Sequence, residues 1–440
     1  MKSVTGTKST RGLPAASKLS LRSGYLSVAS PPERTRFRFS ATFAALRHPN
    51  YRLWFFGQLV SLVGTWMQST AQGFLVYELT TSPAYLGYVG FAAGVPTWLF
   101  TLYGGLIADR VPRRTLLILT QSFMMMLAGI LAFLTFAGSV QAWHIILLAF
   151  LLGTVNAFDA PARLAFILEL VPREDLTNAV ALNSTMFNAA TAVGPAVAGM
   201  AYAAFGPAWC FTINALSFIA VILALMRMQL KSPPIKAARG RAMEDIRQGF
   251  HFVRSDPIVR TLVMYLAAVS FLGMGFVTLM PAWAVKVLGG GATTNGWLQS
   301  ARGIGALCGA LLTAALSQRA LRGKLITIGT FAFPLALFGF ALIRWLPLSL
   351  AALVVIGLSL MIYMNNSNSM VQTQTPDELR GRVLSIYSLS FFGLMPLGAL
   401  FAGALATRWG EPLTVMLAAT LLAFCSVLVW LKAPQVRSMG

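Results

Sequence analysis

Charge is scarce in this 440-residue sequence, where only 11% of residues are Asp, Glu, Lys or Arg. A soluble domain carries about a quarter. With 57% hydrophobic residues and a mean hydropathy of +0.70, the chain has more apolar surface than a soluble fold could bury, so lipid must be part of its solvent. Acid is scarcer still, with 13 Asp and Glu against 34 Lys and Arg. The three cysteines, Cys210, Cys308 and Cys425, lie far apart inside apolar runs, which excludes a disulfide framework and a cysteine-based metal site. His48, His144 and His251 are equally scattered. No Gly-x-x-x-x-Gly-Lys-Ser/Thr loop occurs, so nothing points to nucleotide-driven transport. The paired acids Glu174-Asp175, Glu244-Asp245 and Asp377-Glu378 read as helix starts or loop charges, not as acid–base catalysts. Neither an enzyme nor any cofactor or metal is therefore expected. Residues 1–40 are basic and rich in Ser and Thr, and they lack the compact apolar stretch of a signal peptide.

What is present is a series of charge-free runs, among them Leu53 to Tyr77, Thr115 to Phe158 and Leu176 to Met226. About 20 apolar residues cross a bilayer core as a helix. The two longest runs hold two crossings each, divided at Gly138-Ser139-Val140-Gln141 and at Gly206-Pro207. The reading is an all-α membrane protein with twelve spans: 53–77, 84–106, 115–137, 143–163, 176–203, 209–229, 258–281, 294–316, 324–343, 348–370, 382–404 and 412–431. Helices are required because each segment must satisfy its own backbone groups in lipid.

The excess of positive charge follows the topology. Thirty of the 34 Lys and Arg fall on the termini and on the loops after even-numbered spans. That asymmetry predicts both termini in the cytoplasm and a chain lying in the cytoplasmic membrane. It also makes a nucleic-acid partner unnecessary.

The two halves repeat. Phe43-Ala44-Ala45-Leu46-Arg47 before span 1 is echoed by Phe250-His251-Phe252-Val253-Arg254 before span 7. Pro172-Arg173-Glu174-Asp175 before span 5 is echoed by Pro376-Asp377-Glu378 before span 11. Ala198-Gly199 then Gly206 is echoed by Ala402-Gly403 then Gly410. The expected organisation is a basic, disordered tail (1–42), a first six-helix bundle (43–230), a central loop (231–257), a second bundle (258–433) and a short tail (434–440). Parallel six-span repeats imply a two-fold axis along the membrane normal and a midplane cavity between the bundles.

Gly105-Leu106-Ile107-Ala108-Asp109-Arg110-Val111-Pro112-Arg113-Arg114 follows span 2. It resembles the loop 2–3 signature of the major facilitator superfamily, Gly-x-x-x-Asp-Arg-x-Gly-Arg-Arg, with Pro112 for the second glycine. The resemblance implies that Asp109 pairs with the start of span 11, near Gly381-Arg382. The repeat sets Arg319 and Arg322 correspondingly near Glu174 and Asp175. Such contacts would clamp the halves on the cytoplasmic side and favour an outward-open state. Gly194-Pro195 and Gly199 in span 5 resemble the antiporter signature Gly-x-x-x-Gly-Pro-x-x-Gly-Gly of exporters in that superfamily, with Ala190 and Ala198 replacing two glycines. The span 4 arginine of its best-known drug–proton antiporters is absent, since Ala149 stands there. Asn156 to Arg163, Glu169-Leu170-Val171-Pro172, Asn178-Ala179, Arg380-Gly381-Arg382-Val383 and Val253-Arg254-Ser255-Asp256-Pro257 resemble the macrolide-efflux and enterobactin-exporter-like branch.

Polar groups inside lipid must pair or face a wet cavity. Candidates for the pathway are Gln68 and Gln72 in span 1, Asn156, Asp159 and Arg163 on one face of span 4, and Asn365 and Asn368 in span 10. Asp159 is the best acidic candidate for coupling, with Arg163 one turn away; Glu78 is a weaker one. Arg302 stands alone inside span 8, where it either snorkels to the outer interface or contacts an anionic substrate. The expected function is export of a small amphipathic molecule by a monomer, driven by protons. Uptake or lipid flipping on the same scaffold is the alternative.

Overall fold

The computed structural model describes residues 43–230, 242–316 and 322–435, with backbone alone at 101, 102, 106, 109 and 242–246. The expected tail 1–42, Arg319 and the Asp109 side chain lie outside that description. The described residues hold no strand. Span 1 is Pro49–Thr80, span 2 Pro83–Arg110, span 3 Arg113–Phe136, span 4 Ala142–Leu170, span 5 Leu176–Phe205 and span 6 Pro207–Arg227. In the second half, span 8 is Ala292–Leu316, span 9 Arg322–Leu342, span 10 Leu346–Gln374 and span 12 Glu411–Lys432. The segment read as a central loop carries a helix, Ala242–Ser255, whose Gly249 packs on Arg382 at the start of span 11.

Spans 7 and 11 are not the continuous helices expected. Span 7 begins as Pro257–Ala268 and continues to Val287 through π-helical turns at Val269–Gly273 and Trp283–Val287. Gly273, Gly275 and Pro281 supply the breaks. Span 11 divides into Arg380–Phe392 and Met395–Trp409 around Gly393 and Pro396. Glycine and proline weaken or remove i→i−4 bonds, which is why both irregularities fall there.

The repeat governs packing. Span 1 packs on spans 5 and 6, span 2 on span 4 and span 3 on span 6; span 7 packs on spans 11 and 12, span 8 on span 10 and span 9 on span 12. Reciprocal glycines make the 2–4 and 8–10 crossings close. A Cβ on Gly104 would sit 2.2 Å from the Ala157 carbonyl oxygen and one on Gly153 2.2 Å from that of Ala93. In the second half Gly305 meets the Val354 oxygen at 2.0 Å and Gly357 the Arg302 oxygen at 2.1 Å. Gly206 (φ 86°) and Gly410 (φ 80°) make equivalent turns between spans 5 and 6 and spans 11 and 12, where their left-handed backbone excludes most side chains.

Between the halves, span 2 meets span 11 and span 5 meets span 8. Gly87 packs on Gly403, and Gly199 on Gly296. Both seams lie near the ends opposite the arginine-rich loops. There too, Lys286 of span 7 lies 3.4 Å from Glu411 of span 12 and 5.9 Å from the centre of the Tyr77 ring in span 1. On the basic face, Gly105 and Gly381 have nothing within 4 Å of an added Cβ. Ser184 and Thr185 of span 5 and Cys308 of span 8 are exposed in the corresponding halves of their helices. Among the described residues, the bundles meet on the far face, and Gly105 and Gly381 on the basic face make no such contact.

Candidate functional site

In the first half, a cavity of about 210 Å³ lies among spans 1, 3, 4, 5 and 6. Trp66, Phe187 and Phe218 give it apolar walls; Gln58, Gln121 and Asp159 give it polar ones. Span 4 brings Asn156, Asp159 and Arg163 to this one cavity, as their spacing on a single helix face predicts. Asp159 is 1% exposed. Its Oδ1 accepts hydrogen bonds from Thr120 Oγ1 at 2.8 Å and Gln121 Nε2 at 2.9 Å, both on span 3. Its Oδ2 has no hydrogen-bond partner; Arg163 Nε stands 3.7 Å away. Gln58 Oε1 and Gln121 Oε1 are also buried without donors. The cavity thus gathers three unpartnered acceptors beside one arginine. A buried acceptor left unpaired costs about 1–3 kcal/mol, and a proton donor entering here would relieve that cost.

The other residues singled out in the sequence are placed as follows. Gln68 does not reach this cavity. Its Oε1 accepts from Asn214 Nδ2 at 2.6 Å, which ties span 1 to span 6. Gln72 is buried and is not among the residues lining this cavity either. Asn365 and Asn368 are half-buried in the other bundle, where Asn368 accepts from Gln372 at 2.6 Å. Glu78 accepts from the Tyr202 hydroxyl, joining spans 1 and 5. Arg302 does not snorkel; it is 9% exposed and its Nε is unpartnered.

The signature after span 2 does local work in this conformation. Arg113 pairs with Glu169 at 2.7 Å, fastening span 3 to the end of span 4. Arg114 donates to the Met226 carbonyl at 2.7 Å, at the C-terminal end of span 6. Arg110 is exposed and Arg322 half-buried. Arg319, expected near Asp175, lies outside the described residues; Asp175 pairs with His48 at 2.8 Å. Sequence spacing missed this contact because the partners lie before spans 1 and 5, 127 residues apart. In span 5, Gly194 admits span 1, with an added Cβ 2.6 Å from Trp66 Cβ. Gly199 faces span 8 across the seam, and the Pro195 oxygen lies 2.4 Å from a Cβ on Gly296.

Comparison with known proteins follows the same architecture. The transmembrane secretion effector family matches residues 40–439. The chain belongs to that family. Within it, the chain is 26% identical to the staphyloferrin A transporter of Staphylococcus aureus over 82% of this chain and 90% of that protein. It is 25% identical to the enterobactin exporter EntS of Shigella boydii over 81% of this chain and 85% of that one. Among solved structures, the nucleoside transporter NupG superposes with a TM-score of 0.68 at 12% identity, covering 89% of this chain and all of that chain. A bacterial homologue of the human lysosomal transporter Spinster, in an inward-facing, unoccupied conformation, gives 0.67 at 13% identity, covering 91% and 98%. This secretion effector therefore has the major facilitator fold and is a transporter, not an enzyme.

Proposed function

We propose that this protein exports a small amphipathic molecule across the cytoplasmic membrane, as a monomer, by alternating access coupled to proton entry. The observation that carries the reading is the cavity around Asp159, where three unpartnered acceptors converge and one of them belongs to a carboxylate. The positive-inside rule puts the basic face in the cytoplasm; with the bundles meeting on the far face, the structure is read as the inward-open state. A cytoplasmic molecule enters between the bundles, the basic ends close, and the Gly87–Gly403 and Gly199–Gly296 seams part to release it outside. The clamp proposed for Asp109, with the arginines around it, at Arg319 and at Arg322, acts in that second state.

Arg163 is the charged group beside Asp159 among the described residues lining the cavity. Protonating Asp159 from the outward-open state and releasing the proton inward links the conformational cycle to the gradient. The Gly194-Pro195 and Gly199 pattern of span 5 supports export, as do the relatives that export or transport siderophores. A siderophore-like metabolite or a drug is the substrate class.

Everted membrane vesicles test the reading. With an acid lumen, wild-type protein should concentrate substrate inside, and Asp159→Asn should remove the dependence on the pH gradient at equal protein level. Unchanged gradient dependence in Asp159→Asn would exclude Asp159 as the proton carrier. Transport in the opposite direction would favour the uptake reading.

A further inference from the structure

Both halves hold buried polar atoms without partners, Trp54 Nε1 and Thr70 Oγ1 of the first half lying away from its cavity. Those lining the first-half cavity are acceptors: Gln58 Oε1, Gln121 Oε1 and Asp159 Oδ2. In the second half they include three nitrogen donors, Trp283 Nε1, Asn295 Nδ2 and Arg302 Nε. The hydroxyls of Ser300 and Ser349 are unpartnered as well, and the one carboxylate atom, Glu411 Oε1, sits by Lys286 at the far face.

Two of these nitrogens share one stripe of span 8. Asn295, Gln299 and Arg302 follow at i, i+4 and i+7, and Gln299 Nε2 donates to Asn295 Oδ1 at 3.3 Å. The opposite stripe, Trp297, Ile304 and Leu311, is 44%, 48% and 58% exposed. On the flanks, Gly303 abuts Thr191 and Ala192 of span 5 and Gly305 abuts Val354 of span 10. The remaining direction for Asn295 and Arg302 is the interior of the protein. Arg302 lies ten residues from Ala292, about 15 Å along the helix, which is half the depth of a bilayer core. No acid among the described residues pairs with it.

A guanidinium held at that depth without a counter-ion is costly. An incoming carboxylate offsets the cost, because its two oxygens match the guanidinium fork. We infer that the Asn295–Gln299–Arg302 stripe is a subsite for a carboxylate group on the transported molecule. The inference rests on the transport reading for its occupant. It narrows the substrate to a molecule with an anionic end and an apolar body.

Binding and transport separate the two readings. The full chain in phosphatidylcholine nanodiscs is titrated with 1-naphthoate and with the neutral isostere 1-naphthamide. Wild-type protein should be stabilised against heat by naphthoate and much less by naphthamide. Arg302→Gln should weaken naphthoate binding by at least about tenfold, and Arg302→Lys should retain part of it. Arg302→Met, which removes an unpaired buried charge, controls for folding. Equal responses to the two probes, no response to either, or full naphthoate binding by Arg302→Gln would overturn the subsite. Adding phosphatidylglycerol should leave the naphthoate response in place; its loss would identify the bound anion as a lipid headgroup and overturn the small-molecule assignment. Naphthoate binding without any vesicle transport would uphold the subsite and reject the export reading.

Discussion

Gly296→Ala should move this protein from its far-closed to its far-open state. A Cβ at position 296 would lie 2.4 Å from the Pro195 carbonyl oxygen and 3.0 Å from Gly199 Cα. Both obstacles are backbone, so neither can rotate away. Overpacking of this kind costs about 1–3 kcal/mol. The cost falls only on the state in which spans 5 and 8 meet, because the seam must part for outward opening. A one-sided penalty of that size shifts the ratio of states by about 5- to 150-fold. The assay is labelling of Thr293→Cys by a membrane-impermeant maleimide, in a background lacking Cys210, Cys308 and Cys425. Thr293 lies in the seam, its hydroxyl 3.3 Å from the Gly199 oxygen, so its thiol reports opening. Labelling should rise in Gly296→Ala. Gly305→Ala should lower thermal stability instead without raising labelling, because its Cβ would meet the Val354 oxygen at 2.0 Å inside one bundle. Gly339→Ala, with nothing within 4 Å, should change neither. If Gly296→Ala labels like wild type, or if Gly305→Ala raises labelling equally, the seam is not a state-specific contact and the argument fails.

Two further substitutions probe the scaffold. Asn214→Leu strands the Gln68 amide between spans 1 and 6 and should cost about 1–3 kcal/mol; thermal unfolding in detergent should show the loss while substrate preference stays unchanged. Tyr51→Phe removes a 2.8 Å hydrogen bond to the Ala179 carbonyl and should cost about 1 kcal/mol, again without altering the pH dependence of transport.

The spans were legible because lipid imposes a requirement that each run meets alone. Long charge-free stretches ended by Gly138, Gly206-Pro207 or an arginine cluster are enough to place a helix. The breaks inside spans 7 and 11 escaped because a break depends on whether neighbours accept it. Gly273 and Gly275 are packed against Phe333 and Ala402, contacts far away in sequence. Helical spacing alone put Asn156 and Arg163 on one face with Asp159. The Asp159 donors Thr120 and Gln121 were not legible, since nothing in span 3 says which stripe meets span 4. Gln68 and Gln72 look alike in sequence; only the tertiary structure shows that Asn214 stands opposite Gln68 and that neither amide lines the cavity.

By itself the sequence determined a helical membrane fold, the two-fold repeat and the asymmetry of its charge. These depend on local composition and on the solvent, and every residue contributes independently. The tertiary structure decided the rest: on which face the bundles meet, which glycines form the two seams, where Arg113 and Asp175 find partners, and that Arg302 is buried rather than snorkelled. Those are properties of pairs distant along the chain. Close packing makes such pairs mutually exclusive alternatives, and single-residue patterns carry no record of which alternative prevails.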